Sequence, residues 1–292
     1  MSDFLKGTGV ALATPFNVDG TIDYQGVTAL VDHCIEGGVE YLVVLGTTAE
    51  SVTLSKEEKK KLTAHIIEVN NQRLPIVLGI GGNNTNAIIS EIKEADLTGV
   101  DAILSVVPMY NKPTQKGIYQ HYKEINDNTS LPILLYNVPS RTGTNMSAET
   151  TLQLAQLEHI VGIKEATSDF SQVLKIIKDK PKDFLVISGD DVLALPLVAA
   201  GGNGVISVIG QGFPKEFSEM IRLGLAGDTQ NAFDILYGLL PVIDYAFEEG
   251  NPAGIKNILK AKNVCDDSVR LPLVSVSDSL SNKIKNFVKN YS

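Results

Sequence analysis

The chain has 292 residues, 43% of them hydrophobic and 20% charged, with 34 acidic against 25 basic side chains for a net charge of −9. That composition belongs to a globular chain with a large core and excludes a disordered, collagen-like or coiled-coil protein. The acidic balance argues against a nucleic-acid binder, which usually carries a basic face.

Eight short apolar runs recur in chain order: Gly9 to Pro15, Tyr41 to Gly46, Ile76 to Gly81, Ala102 to Val107, Ile133 to Tyr136, Ile160 to Lys164, Phe184 to Ser188 and Gly204 to Val208. Each is apolar nearly throughout, as in strands covered on both faces. Helical periodicity lies between them. Val27, Leu30, Val31, Cys34 and Ile35 share one stripe of Tyr24 to Gly37, and Leu62, His65, Ile66 and Val69 one stripe of Lys56 to Asn70. Strands alternating with helices imply a parallel sheet with right-handed crossovers, and eight of them predict a closed (β/α)₈ TIM barrel. A doubly wound open sheet is the rival, although it usually has fewer strands.

Past the eighth run, Phe213 to about Ile258 is helical in character, with Pro214, Pro241 and Pro252 as punctuation. Ile284 and Val288 keep helical spacing in the tail. The expected organisation is a barrel over 1–225, with extra C-terminal helices over 226–292 packed on it. Cys34 and Cys265 form no CxxC pair, which excludes a zinc ribbon or thioredoxin-like motif. The opening MSDFLKGTGVALATPF lacks a signal-peptide core, and no apolar run is long enough to span a bilayer. A cytoplasmic location without membrane or nucleic-acid partners is expected.

Chemistry in such a barrel sits at the C-terminal ends of the strands. Lys164 ends the sixth run. Period-2 alternation turns Val161 and Ile163 toward the helices, and Gly162 and Lys164 inward. A lysine inside a barrel is costly unless it is paired or its pKa is lowered. An uncharged amine there suits Schiff-base chemistry of the class I aldolase kind; an ion pair with Glu165 or a neighbouring aspartate is the plainer use. Tyr136 shares the inner face with Leu134. Its phenol suits a proton relay, though a lone tyrosine more often simply packs. Thr47 and Thr48 can hold a carboxylate with neighbouring N–H groups at a helix start, or Thr48 or Ser51 can simply serve as an N-cap. Arg141 offers a fork for a carboxylate. Asp190 and Asp191 lack a nearby histidine, and His33, His65, His121 and His159 show no ligand spacing, so loop capping is the expected use of the two aspartates. Gly79 to Asn84 lacks the last glycine of a dinucleotide fingerprint, and neither a Walker A sequence nor a G-x-S-x-G elbow is present.

At these residues the chain resembles the dihydrodipicolinate synthase family of pyruvate-dependent aldolases. The matching segments are GTTAES (Gly46 to Ser51), YNVPSRTG (Tyr136 to Gly143), GIKEA (Gly162 to Ala166), SGDD (Ser188 to Asp191) and GVISV (Gly204 to Val208), in family order and spacing from about Thr8 to Pro272. The resemblance implies condensation of pyruvate with aspartate β-semialdehyde through a Schiff base on Lys164. It implies a relay of Thr47, Tyr136 and Tyr110, the last supplied by a neighbouring subunit. Thr48 would bind the pyruvate carboxylate and Arg141 that of the second substrate, with Gly189 and the Ile206 backbone lining the pocket. It further implies a homotetramer built as a dimer of dimers, with no metal or organic cofactor. An aldolase acting on N-acetylneuraminate or a 2-keto-3-deoxy sugar acid is the nearest rival, and Arg141 within NVPSRTG argues against it. A non-catalytic keto-acid sensor is the rival of another class, and the intact set of Lys164, Tyr136, Thr47 and Tyr110 argues against that.

The resemblance also bears on feedback by lysine, which regulated members bind at the tight-dimer interface. This chain keeps Ser51 and Asn83 of that pattern. It has Met109 for a tyrosine, Ala87 for a glutamate, and Lys56 and Lys59 for histidines. A lost acceptor and added positive charge predict weak or absent lysine inhibition.

Overall fold

A computed structural model describes residues 3–291. Eight parallel strands, β1 (Gly7–Ala11), β2 (Tyr41–Val44), β3 (Ile76–Gly79), β4 (Ala102–Val106), β5 (Ile133–Asn137), β6 (Ile160–Glu165), β7 (Leu185–Ser188) and β8 (Gly204–Ser207), pair in sequence order. β8 returns to β1 with Gly7 opposite Gly204, so the sheet closes and the open-sheet rival is excluded. Each strand overlaps one of the eight apolar runs, although β1 starts two residues before its run and ends at Ala11.

The strands are apolar throughout because both faces are covered. Along β5, Ile133 and Leu135 face the helices while Leu134 and Tyr136 face the barrel interior. The interior is filled by Tyr41, Val43, Val77, Leu104, Leu134, Leu185, Ile187 and Ile206 among others. Burying each such aliphatic side chain stabilises the fold by about 1.5–3 kcal/mol. Helices start where short polar side chains can satisfy free N–H groups: Asp23, Ser55, Asn84, Thr114, Ser147 and Asp169 each accept from the first turn that follows.

Two readings of the sequence are corrected. Val161 packs against the interior cluster, not the helices. The register against β5 steps from Ile133↔Ile160 to Leu134↔Gly162, so Val161 is an extra residue that resets the alternation. Lys164 still faces inward, because the step precedes it. Pro241 does not punctuate: it lies inside the helix Thr229–Glu248. The buried face of Leu239, Val242 and Ile243 keeps that helix intact across the missing N–H.

Helices Pro214–Ala226, Thr229–Glu248, Ala253–Ala261 and Asp278–Asn290 follow β8. Their apolar faces merge into one cluster with Ala194, Leu195, Val205 and Ile209 of the barrel. This packing brings residues 250–270 back over the C-terminal end of β2, which matters for the site. Among the described residues no helix is long and apolar enough to cross a membrane.

Candidate active site

Lys164 stands beside Tyr136 in the ladder between β5 and β6, with its side chain inside the barrel. Only 6% of the residue is exposed. Its Nζ lies 4.2 Å from the centroid of the Tyr136 ring. Among the described residues it joins no ion pair. The ion pair with Glu165 allowed by the sequence is therefore not formed. Glu165 points the other way, accepting from the amides of Asn137 and Gln172 and from the Thr167 N–H. Those donors favour its ionised form, but burial wins and pushes its carboxyl up to about 7.

Space around Lys164 depends on glycines. A Cβ on Gly189 would lie 3.0 Å from Lys164 Cε and 2.7 Å from Ala166 Cβ. A Cβ on Gly162 would meet Leu185 O at 2.7 Å. Ile206 on β8, 1% exposed, completes this wall with Ile187 and Tyr136.

Thr47 and Thr48 sit at the end of β2 on a single 3₁₀ turn, Thr47–Ala49. The expected helix start is thus a short turn; the α-helix begins only at Lys56, capped by Ser55. Thr47 is exposed, whereas Thr48 is 2% exposed and its Oγ1 accepts from Asn251 Nδ2 at 3.0 Å. The turn ends at Glu50 in the left-handed region, φ 53°.

Arg141 lies exposed on the turn Pro139–Thr142 after β5 and donates to the carbonyl of Asn251 at 3.5 Å. Tyr110, after β4, is 89% exposed with φ 66°, and its N–H donates to Thr142 O. Left-handed backbone in a tyrosine is uncommon and recurs where function constrains a loop. Among the described residues no hydrogen bond joins the hydroxyls of Thr47, Tyr136 and Tyr110. Lys164, Tyr136, Gly189 and Ile206 are thus brought together inside the barrel. Thr48 and Arg141 are linked at its rim, and Tyr110 projects outward.

Asp190 and Asp191 act as loop caps, as expected. Asp190 accepts from the Leu193 N–H, and Asp191 from Ser207 Oγ at 2.5 Å and from the Val208 N–H. Burial raises the Asp191 carboxyl to about 6. Asn251 is the site residue that sequence reasoning missed. It bridges Thr48 and Arg141 from the loop before the helix Ala253–Ala261, and its only sequence signal is the proline that follows.

The model of the dihydrodipicolinate synthetase family matches residues 4–291. A curated relative from Flavobacterium psychrophilum, a 4-hydroxy-tetrahydrodipicolinate synthase, is 55% identical over 287 residues, covering 98% of each chain. The dihydrodipicolinate synthase of Acinetobacter baumannii, solved in complex with pyruvate, superposes with a TM-score of 0.94 at 39% identity, covering 98% of each chain. A solved monomeric dihydrodipicolinate synthase variant superposes with a TM-score of 0.95 at 37% identity, over 98% of this chain and 96% of that one.

Proposed function

The chain belongs to the dihydrodipicolinate synthetase family, and from that premise we propose how its residues divide the work. The reaction is the condensation of pyruvate with L-aspartate 4-semialdehyde to 4-hydroxy-tetrahydrodipicolinate, the first committed step of diaminopimelate and lysine biosynthesis. The Lys164 amine adds to the pyruvate ketone, and loss of water leaves an iminium. The iminium draws electrons from the methyl carbon, which loses a proton and becomes an enamine. That carbon attacks the aldehyde of the second substrate. The amine of the bound semialdehyde then adds to the imine carbon, closes the ring and displaces Lys164. Each step moves a proton, so a phenol beside the imine nitrogen is useful. Tyr136 fills that role, with Thr47 and, from a second copy of the chain, Tyr110.

Thr48 holds the pyruvate carboxylate, Arg141 that of the semialdehyde, and Gly189 and the Ile206 backbone shape the pocket. Projection of Tyr110 into solvent supports its use by a neighbouring subunit in a tetramer of two dimers. The reading keeps the barrel as 1–225 and the C-terminal segment as 226–292, in a cytoplasmic enzyme without metal or organic cofactor. The observation that carries it is Lys164, buried inside the barrel beside Tyr136 without a carboxylate partner. Borohydride reduction in the presence of pyruvate, followed by mass spectrometry, tests it. A pyruvyl adduct on Lys164, absent from Lys164→Ala, is expected; turnover by Lys164→Ala with a wild-type adduct yield overturns it.

A further inference from the structure

Lys256 is buried completely, yet it is a charged side chain far in sequence from the strand ends. Its Nζ donates to Glu50 Oε1 at 2.5 Å and to Ser268 O at 2.8 Å, and its remaining side faces the Phe16 ring at 4.2 Å. Glu50 is equally buried, with side chains 0% and 1% exposed for the pair. The second oxygen of Glu50 accepts from the Arg270 N–H at 2.9 Å. Two charges withdrawn from water are expensive, and such pairs need a reason other than stability.

The reason lies in what the pair touches. Glu50 ends the turn Thr47–Ala49 in the left-handed region, a conformation that glycine adopts freely and glutamate does not. Three consecutive residues of this turn are fastened from outside it. Thr48 Oγ1 accepts from Asn251, Ala49 O accepts from Thr14 Oγ1 at 2.7 Å, and Glu50 accepts from Lys256 and Arg270. Asn251 precedes the helix Ala253–Ala261 and Lys256 lies in its first turn, so the start of that helix grips the turn at two points. Arg270 is itself held, its guanidinium paired with Glu58 and donating to Gly20 O and Thr53 O. The strained backbone is thus kept in place by charge, not by local propensity.

We propose that Lys256 and Glu50 are positioning residues for the keto-acid carboxylate: their buried ion pair holds the Thr47–Thr48 turn so that its hydroxyl and N–H groups meet that carboxylate. This rests on the reading of Thr48 as the pyruvate-carboxylate residue. Neither side chain touches substrate. Their loss acts on pyruvate binding more than on the semialdehyde, whose carboxylate pairs with Arg141.

The test is steady-state kinetics of Lys256→Met and Glu50→Gln, with circular dichroism to confirm folding and borohydride trapping at saturating pyruvate. Lys256→Met is expected to raise the KM for pyruvate about tenfold, the scale of one lost charge-assisted hydrogen bond. The KM for aspartate semialdehyde should move less than about twofold, and trapping at saturation should persist. Glu50→Gln keeps one acceptor oxygen but turns an amide NH2 toward the other donor, so it should raise the same constant as well. An unchanged pyruvate KM in a folded variant overturns the proposal, as does a matching change in both KM values and kcat. Unfolding of both variants would also overturn it, by assigning the pair to the core alone. Absence of a pyruvate adduct in the wild-type protein would instead sink the Schiff-base reading.

Discussion

Gly189 and Lys164 stand so close that any side chain at 189 would occupy the space of the lysine shaft: a Cβ there would lie 3.0 Å from Cε and 3.2 Å from Cγ. The opposite side offers no relief, because Ala166 Cβ is 2.7 Å away. Gly189→Ala should therefore push Lys164 off its position over Tyr136. The expected outcome is slower borohydride trapping with pyruvate and a stability loss of about 1–3 kcal/mol, typical of overpacking. Trapping at the wild-type rate would show that the lysine does not need this position.

The buried carboxyls of Glu165 and Asp191 should lower stability as pH rises from 5 to 8, against His33 and His121, which burial holds below their ordinary value and which work the other way. Glu165, at about 7, and Asp191, at about 6, are raised by burial above their ordinary values. The folded chain then keeps protons that the unfolded chain has released. Their contribution is full below the unfolded values near 4 and is lost as pH climbs through 6 and 7. For Glu165 alone the loss is about 3 kcal/mol. Carboxylates held low by exposed partners, such as Asp19 and Asp169, titrate below this window. Urea midpoints across pH 5 to 8 measure the slope, and Glu165→Gln should make it shallower. An equal slope in that variant would assign the effect elsewhere.

Arg141 and Asn251 should separate by which substrate suffers. Arg141→Ala is expected to weaken use of aspartate semialdehyde about tenfold or more while trapping with pyruvate stays within about twofold. Asn251→Ala frees both the Thr48 hydroxyl and the Arg141 turn, so both KM values should rise. Equal damage to both steps in Arg141→Ala would mean that the arginine holds the loop and not the second substrate.

Inhibition by lysine should be weak or absent. Asn83 reaches toward the Met109 carbonyl at 3.5 Å, and Ala87 offers no side-chain acceptor for an ammonium group. Lys56 and Lys59 add like charge on the helix after the Thr47–Ala49 turn. Initial rates against lysine decide this, and strong saturable inhibition at modest concentration would overturn the expectation.

All eight strands were readable as apolar runs because a parallel barrel covers both faces of every strand, and Lys164 was conspicuous as a charge ending such a run. Tyr136 followed from alternation at the end of β5, whereas Gly189 and Ile206 entered only through what the family resemblance implied. The extra residue at Val161 was not readable, because apolar residues suit either side of the sheet and only pairing with β5 reveals the step in register. Pro241 misled because local propensity opposes what a buried helix face enforces. Asn251, Lys256 and Arg270 meet the Thr47–Glu50 turn across more than two hundred residues of sequence. No period or motif links positions so far apart. Their contact exists only because the C-terminal helices bury a shared apolar face against the barrel, and that packing, not any local pattern, sets which polar groups come within hydrogen-bonding reach.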